Sequence, residues 1–231
     1  MPKTIDEIVR KKNGQKITVV TSYDYTMATL CDQVDILLVG DSAGMVMLGY
    51  ENTAPVTIDQ MCMFTEGVSN GRKNALIVAD LPNKSYENET DAIANSQRLI
   101  KAGADAVKLE GRLPEIIKAI VQADIPVMGH LGLLPQTATK YSVQGKTKSD
   151  VESLLDDAKA LQEAGVFSIV LEMVTSEATK KVTEMLSVPT IGIGCGQYCD
   201  GQVLVIHDML GLFEKLKPKI VKRYLSLSDE I

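Results

Sequence analysis

The chain of 231 residues is long for one domain of about 150 residues and short for two, a length that barrels of alternating strands and helices commonly fill as a single unit. Its 45% apolar and 23% charged residues exclude a disordered chain. A net charge of -6 with few aromatic residues argues against a nucleic-acid partner, and no run of about 18 apolar residues is present to span a membrane.

The first residues, MPKTIDEIVRKKNGQK, contain no apolar core of a secretory leader, so a cytoplasmic location is expected. Thr4 and Glu7 mark a short helix before the first strand, placed to close the bottom of a barrel. Short apolar, β-branched runs then follow at 17–21, 36–39, 75–79, 106–109, 126–129, 168–171, 189–193 and 203–206. Continuous apolar runs suit parallel strands buried on both faces. Helical patterns separate many of them. Thr57 and Gln60 form a capping box before a helix over 58–68, and Ser149 with Glu152 does the same for 149–164, where Val151, Leu154, Leu155, Ala158 and Leu161 share one face. Eight such alternations predict an α/β protein, a single (β/α)8 TIM barrel over 1–231, with a doubly wound open sheet as the runner-up. No G-x-G-x-x-G follows the first strand, which weakens a dinucleotide-binding reading. AGADAVKLE (102–110) echoes AGVFSIVLE (164–172): a helix ends at glycine, a buried strand follows, and a glutamate closes it.

Barrel chemistry takes place at the C-terminal ends of the strands. The residues closing these runs are Asp41 and Ser42 after strand 2, Asp80 after strand 3, Lys108 and Glu110 on strand 4, His130 after strand 5 and Glu172 after strand 6. Strand 7 runs into a glycine-rich segment, 192–196, and strand 8 into His207 and Asp208. Four carboxylates at one mouth repel one another unless a cation sits among them. Oxygen donors favour Mg²⁺, with Asp41 and Asp80 as direct ligands and Glu110 bound directly or through water. Lys108, in phase with Glu110, is placed to hold a substrate anion. Plainer readings stand beside these: a cap for Asp41, a turn for Asp80, a Lys108–Glu110 salt bridge, a solvated Glu172, and a wall position for His130. His207 reads as structural. Cys31, Cys62, Cys195 and Cys199 read as reduced thiols, and the C-x3-C spacing of the last two lacks a second ligand pair.

At these residues the chain resembles the ketopantoate hydroxymethyltransferase family. VGDS (39–42), ADLPNKSY (79–86), KLEG (108–111), GHLGLLPQ (129–136), VLEMV (170–174) and VPTIGIGCG (188–196) carry the resemblance, which extends from about residue 4 to 226. It implies a (β/α)8 barrel that binds Mg²⁺. It also implies transfer of a one-carbon unit from 5,10-methylenetetrahydrofolate to 3-methyl-2-oxobutanoate, the first committed step of pantothenate biosynthesis. Matched residue by residue, Asp41 and Asp80 are metal ligands and Glu110 a further metal-site carboxylate. Ser42 and Lys108 hold the keto acid's carboxylate, His130 lines the substrate site, and Glu172 accepts the proton. The resemblance further implies a cytoplasmic homodecamer with only small-molecule substrates as other partners. Cys195 stands where the family commonly has Ala, the segment TATKYSVQG (137–145) is shorter than the family's loop, and members usually continue past residue 231. Two other readings remain at this point: another metal-dependent lyase or aldolase acting on a keto acid or phosphoenolpyruvate analogue, and a binding or assembly subunit.

Overall fold

Eight parallel strands close on themselves in the computed structural model, which describes residues 1–215 and 220–231. The order is sequential from β1 (Ile17–Thr21) through β2 (Ile36–Val39), β3 (Leu76–Asp80), β4 (Ala106–Glu110), β5 (Val127–Gly132), β6 (Ser168–Glu172) and β7 (Thr190–Ile193) to β8 (Gly201–Leu204), which pairs back onto β1. The helices are α1 (Ile5–Val9), α2 (Tyr25–Cys31), α3 (Ala43–Val46), α4 (Ile58–Gly71), α5 (Glu89–Lys101), α6 (Pro114–Gln122), α7 (Lys148–Glu163), α8 (Ser176–Met185) and α9 (Ile206–Leu210). The predicted TIM barrel is therefore the fold, and the open-sheet alternative falls. Among the described residues no helix is long and apolar enough to cross a membrane. The stretch 213–225, part of the family resemblance, includes 216–219, which lie outside the described residues.

The period-two alternation of each strand divides the core into two parts. Side chains of one phase, among them Leu37, Ile77, Val107, Leu109, Val127, Ile169 and Leu171, pack outward against the helices. Those of the other phase fill the barrel: Ile17, Val19, Ile36, Leu38, Leu76, Val78, Ala106, Met128, Val170, Ile191 and Val203. Ile8 of α1 joins this inner cluster. The short N-terminal helix, held by the reciprocal Thr4–Glu7 capping box, thus plugs the barrel bottom as expected.

Several boundaries differ from the sequence reading for physical reasons. Strands β3 to β6 run beyond their apolar runs to include Asp80, Glu110, His130 and Glu172. Polarity ends the hydrophobic pattern, while the hydrogen-bonded ladder continues. Helix α7 starts one residue earlier than predicted, and its cap is two residues earlier, Thr147 and not Ser149. Thr147 is extended (φ -106, ψ 161), accepts the Asp150 amide and receives the Asp150 carboxylate on its own N–H. The sequence contains two overlapping boxes, and the first one forms. Between β7 and β8 no helix forms. Strand β8 ends at Leu204, so His207 and Asp208 lie on α9 and not on a strand end. Cys195 and Cys199 of that β7–β8 connection are buried free thiols with sulfurs 3.7 Å apart.

Candidate active site

The inward phase that carries Val78, Ala106, Met128 and Val170 in the barrel interior reaches Asp80, Lys108 with Glu110, His130 and Glu172 one or two steps nearer the mouth. Register keeps these residues beside one another. Asp80 pairs with Lys108, Glu110 with His130, and Gly132 with Glu172 across adjacent strands. Asp41 and Ser42 enter from the turn directly after β2. A cavity of about 400 Å³ at the mouth is lined by all seven predicted site residues: Asp41, Ser42, Asp80, Lys108, Glu110, His130 and Glu172.

The contacts form a connected charge array. The Lys108 ammonium lies 3.1 Å from Asp80 Oδ1, so its ion-pair partner is Asp80 and not Glu110, the partner expected in the plainer reading. The Asp41 backbone N–H donates to Asp80 Oδ2 at 3.1 Å. His130 bridges two carboxylates, with Nδ1 3.4 Å from Glu110 Oε1 and Nε2 3.3 Å from Glu172 Oε2. The Tyr23 hydroxyl and Ser42 Oγ lie 2.8 Å apart, which orients the serine.

Burial and these neighbours set the protonation states. Burial, with the Asp80 carboxylate next in importance, pushes the Asp41 carboxyl up to about 7. Burial also raises Asp80, against the pull of Lys108. For Lys108, burial favours the neutral amine, but Asp80, Glu110 and Asp41 outweigh it and hold the ammonium charged. For His130, burial and Lys108 act downward, while the bonds to Glu110 and Glu172 carry it up to about 9. Burial acts against ionised Glu110, but His130, Lys108 and the Gln136 amide keep its carboxyl below the usual range. The array holds four carboxylates and two cationic side chains, which leaves two negative charges uncompensated when all are ionised.

Two backbone features shape the wall beside Glu172. Gly132 has φ +95, and a Cβ there would sit 2.3 Å from the Glu172 carbonyl oxygen. Met173, which follows Glu172, has φ 51, an uncommon value for a residue with a side chain, and donates its N–H to the Ile193 carbonyl. Met173 thus redirects the chain directly after Glu172, and the missing Cβ of Gly132 on the neighbouring strand leaves room for the Glu172 backbone.

Sequence reasoning missed Gln136 and Tyr86. Gln136 is buried, and its side-chain amide donates to Asp41 Oδ2 at 2.8 Å and to the Leu81 carbonyl at 3.0 Å. Its backbone N–H donates to Glu110 Oε2 at 3.1 Å, and the Tyr86 hydroxyl donates to its Oε1. Both residues come from loops, where no hydrophobic period marks an inward position. Their presence in ADLPNKSY and GHLGLLPQ was the available signal.

The profile of the ketopantoate hydroxymethyltransferase family matches residues 2–231. The chain belongs to the ketopantoate hydroxymethyltransferase family. A 3-methyl-2-oxobutanoate hydroxymethyltransferase of Nitrosopumilus maritimus is 60% identical, over all of this chain and 86% of its own length. That of Cenarchaeum symbiosum is 58% identical over 95% of this chain and 86% of its own. That of Geobacter metallireducens is 53% identical over 96% and 87%. Among solved structures, phosphoenolpyruvate phosphomutase from Streptomyces platensis superposes with a TM-score of 0.69 at 12% identity, covering 89% of this chain and 82% of that one. Phosphonopyruvate hydrolase, solved with oxalate and Mg²⁺, superposes at 0.66 and 12%, covering 88% and 81%. These structural likenesses support the barrel. The family assignment comes from the sequence relatives.

Proposed function

We propose that this ketopantoate hydroxymethyltransferase family member transfers a hydroxymethyl group from 5,10-methylenetetrahydrofolate to 3-methyl-2-oxobutanoate, giving ketopantoate for pantothenate biosynthesis. The observation that carries the reading is the mouth cavity, where the Asp41–Asp80 pair, Lys108, Ser42 and Glu172 line one space. Family membership supplies the reaction class.

The residues present fit a hard divalent cation. Mg²⁺ is commonly held by one or two carboxylates, with water and substrate completing its shell. Asp41 and Asp80 are hard oxygen donors, adjacent and buried, in an array with two uncompensated negative charges. Glu110 stands further back, held by His130 and Gln136, and suits a contact through water. Among the described residues no group of three or more His, Cys, Asp or Glu side chains is arranged to hold a metal ion by itself. When bound, Mg²⁺ would act as a Lewis acid toward the charge that develops on the keto oxygen.

The chain's own residues divide the remaining work. Lys108 and Ser42 bind the carboxylate of the keto acid, the first by charge and the second by a hydroxyl that Tyr23 orients. Glu172 accepts the C3 proton as general base. His130 holds Glu172 and Glu110 in place from either side. The carbon freed of its proton bonds to the methylene carbon of the folate, both of whose C–N bonds break in the overall transfer. Water supplies the hydroxyl group, and its other proton with the one taken by Glu172 goes to the two nitrogens of the departing tetrahydrofolate. Apolar cavity residues such as Met45, Leu133, Met173, Ile193 and Phe213 offer a surface for the pterin. The family resemblance also supports a cytoplasmic homodecamer.

Proton exchange at C3 tests the first half-reaction without folate. In D₂O with Mg²⁺ and 3-methyl-2-oxobutanoate, the protein is expected to exchange the C3 proton, followed by NMR. Glu172→Gln should slow that exchange by ~10²-fold or more, the usual size of general-base catalysis. Near-wild-type exchange in Glu172→Gln would remove the assigned base.

A further inference from the structure

Gln136 is a fully engaged buried residue to which the proposed chemistry gives no task. It enters from the loop four positions beyond Gly132 and is 4% exposed. One residue thereby supports two carboxylates that arrive from different strands: Asp41, from the end of β2, through Nε2, and Glu110, from β4, through the backbone N–H. The orientation of its amide is fixed by its partners. Nε2 faces two acceptors, Asp41 Oδ2 and the Leu81 carbonyl, while Oε1 receives the Tyr86 hydroxyl. Rotated by half a turn, Oε1 would meet two acceptors and the NH₂ group would displace the tyrosine proton from its acceptor. A neutral donor at this place has a specific chemical merit. It stabilises the Asp41 carboxylate by hydrogen bonding without adding a positive charge that would compete with a cation.

We infer that Gln136, with its amide locked by Tyr86, is a positioning residue that sets the Asp41 and Glu110 carboxylates for a divalent cation. This inference rests on the reading of Asp41 and Asp80 as the cation's ligands. Through Gln136, Asp41 Oδ2 is committed to the protein, and the rotation of that carboxylate is fixed before a cation arrives. Partners of this kind typically change metal affinity by ~10–100-fold when removed.

The test is Mn²⁺ binding, read by electron paramagnetic resonance of the free ion, with Mg²⁺ competition. The proteins compared are the wild type, Asp80→Ala, Gln136→Met and Tyr86→Phe. Gln136→Met keeps the side-chain length and the backbone N–H but removes the amide donor. It is expected to bind Mn²⁺ ~10-fold more weakly than wild type, with the Mg²⁺ concentration for half-maximal activity rising by the same factor. Tyr86→Phe leaves Gln136 in place and releases its lock, with an expected loss of about threefold, below the ~10–100-fold of a direct partner because Tyr86 acts one hydrogen bond further from the carboxylate. Equal Mn²⁺ affinity in wild type and Gln136→Met overturns the inference and leaves the metal reading standing. Wild type binding no better than Asp80→Ala overturns the metal reading and the inference with it. Should Gln136→Met not fold, Tyr86→Phe decides: weakened Mn²⁺ binding upholds the positioning role, and unchanged binding refutes it.

Discussion

Replacing Asp41 by Asn probes the cost of holding the site's carboxylates together before a cation binds. In the fold, burial and the neighbouring Asp80 raise the Asp41 carboxyl from 3.8 to about 7. Between those two values the folded chain keeps a proton that the unfolded chain has released. Wild-type stability therefore falls as pH rises through that window, by about 1.4 kcal/mol per pH unit where the difference is one proton. Above about 7 both states are ionised and the full cost is present, on the order of 4 kcal/mol. Asp41→Asn has no such proton, and its side-chain oxygen can still accept the Gln136 amide. Urea unfolding of both proteins in EDTA, stepped from pH 4.5 to 8.5, gives the difference for the Asp41 site, because the groups that do not interact with Asp41 cancel. The variant's advantage should be small near pH 4.5 and grow progressively up to about pH 7, with a plateau beyond. Saturating Mg²⁺ should then narrow the gap, since a ligand at 100 times its Kd adds about 2.7 kcal/mol to the protein that binds it. A stability difference that stays flat across the pH range would refute the assignment of a buried, charge-strained carboxyl to Asp41.

Two further predictions concern the same wall of the site. The imidazole of His130, raised to about 9 by its two glutamates, should remain protonated through neutral pH. Its contribution to stability is complete below its unfolded value near 6.5 and is lost as pH rises through about 9. Imidazole NMR shifts across pH 6 to 10 check this, and a midpoint at or below 6.5 would show that the glutamates do not hold it. Gly132→Ala would place a methyl group 2.3 Å from the Glu172 carbonyl, at φ +95. Strain and overpacking together should cost on the order of 3 kcal/mol, read as a lower urea midpoint, and should slow turnover by shifting Glu172.

The local readings succeeded where one physical rule acted alone. Inward phase followed from strand periodicity, so Lys108 and Glu110 share a direction, and the acidic residues closing each apolar run were placed at one mouth once the barrel was accepted. The rule failed where two local solutions competed. Thr147 and Ser149 both begin plausible caps, and it is Thr147 that is extended and forms the reciprocal bonds with Asp150. The rule also failed at β8, where the apolar run 203–206 spans the end of a strand and the start of α9. Apolar residues suit both elements, and the ladder to β1 and β7 decides where pairing stops.

The amino-acid sequence by itself determined the number of strands, their parallel burial, the barrel class and the seven polar residues that end on its cavity. These follow from hydrophobic period and from the types of residue that interrupt it. Tertiary structure alone decided the partners. It paired Lys108 with Asp80 in place of Glu110, set His130 between two glutamates from neighbouring strands, and brought Gln136 onto Asp41 and Glu110 with Tyr86, from a separate loop, onto Gln136. Such pairings depend on strand register and loop path, which join residues 20 to 95 positions apart. No periodic pattern along the chain encodes a contact between side chains that only the closing of the barrel brings together.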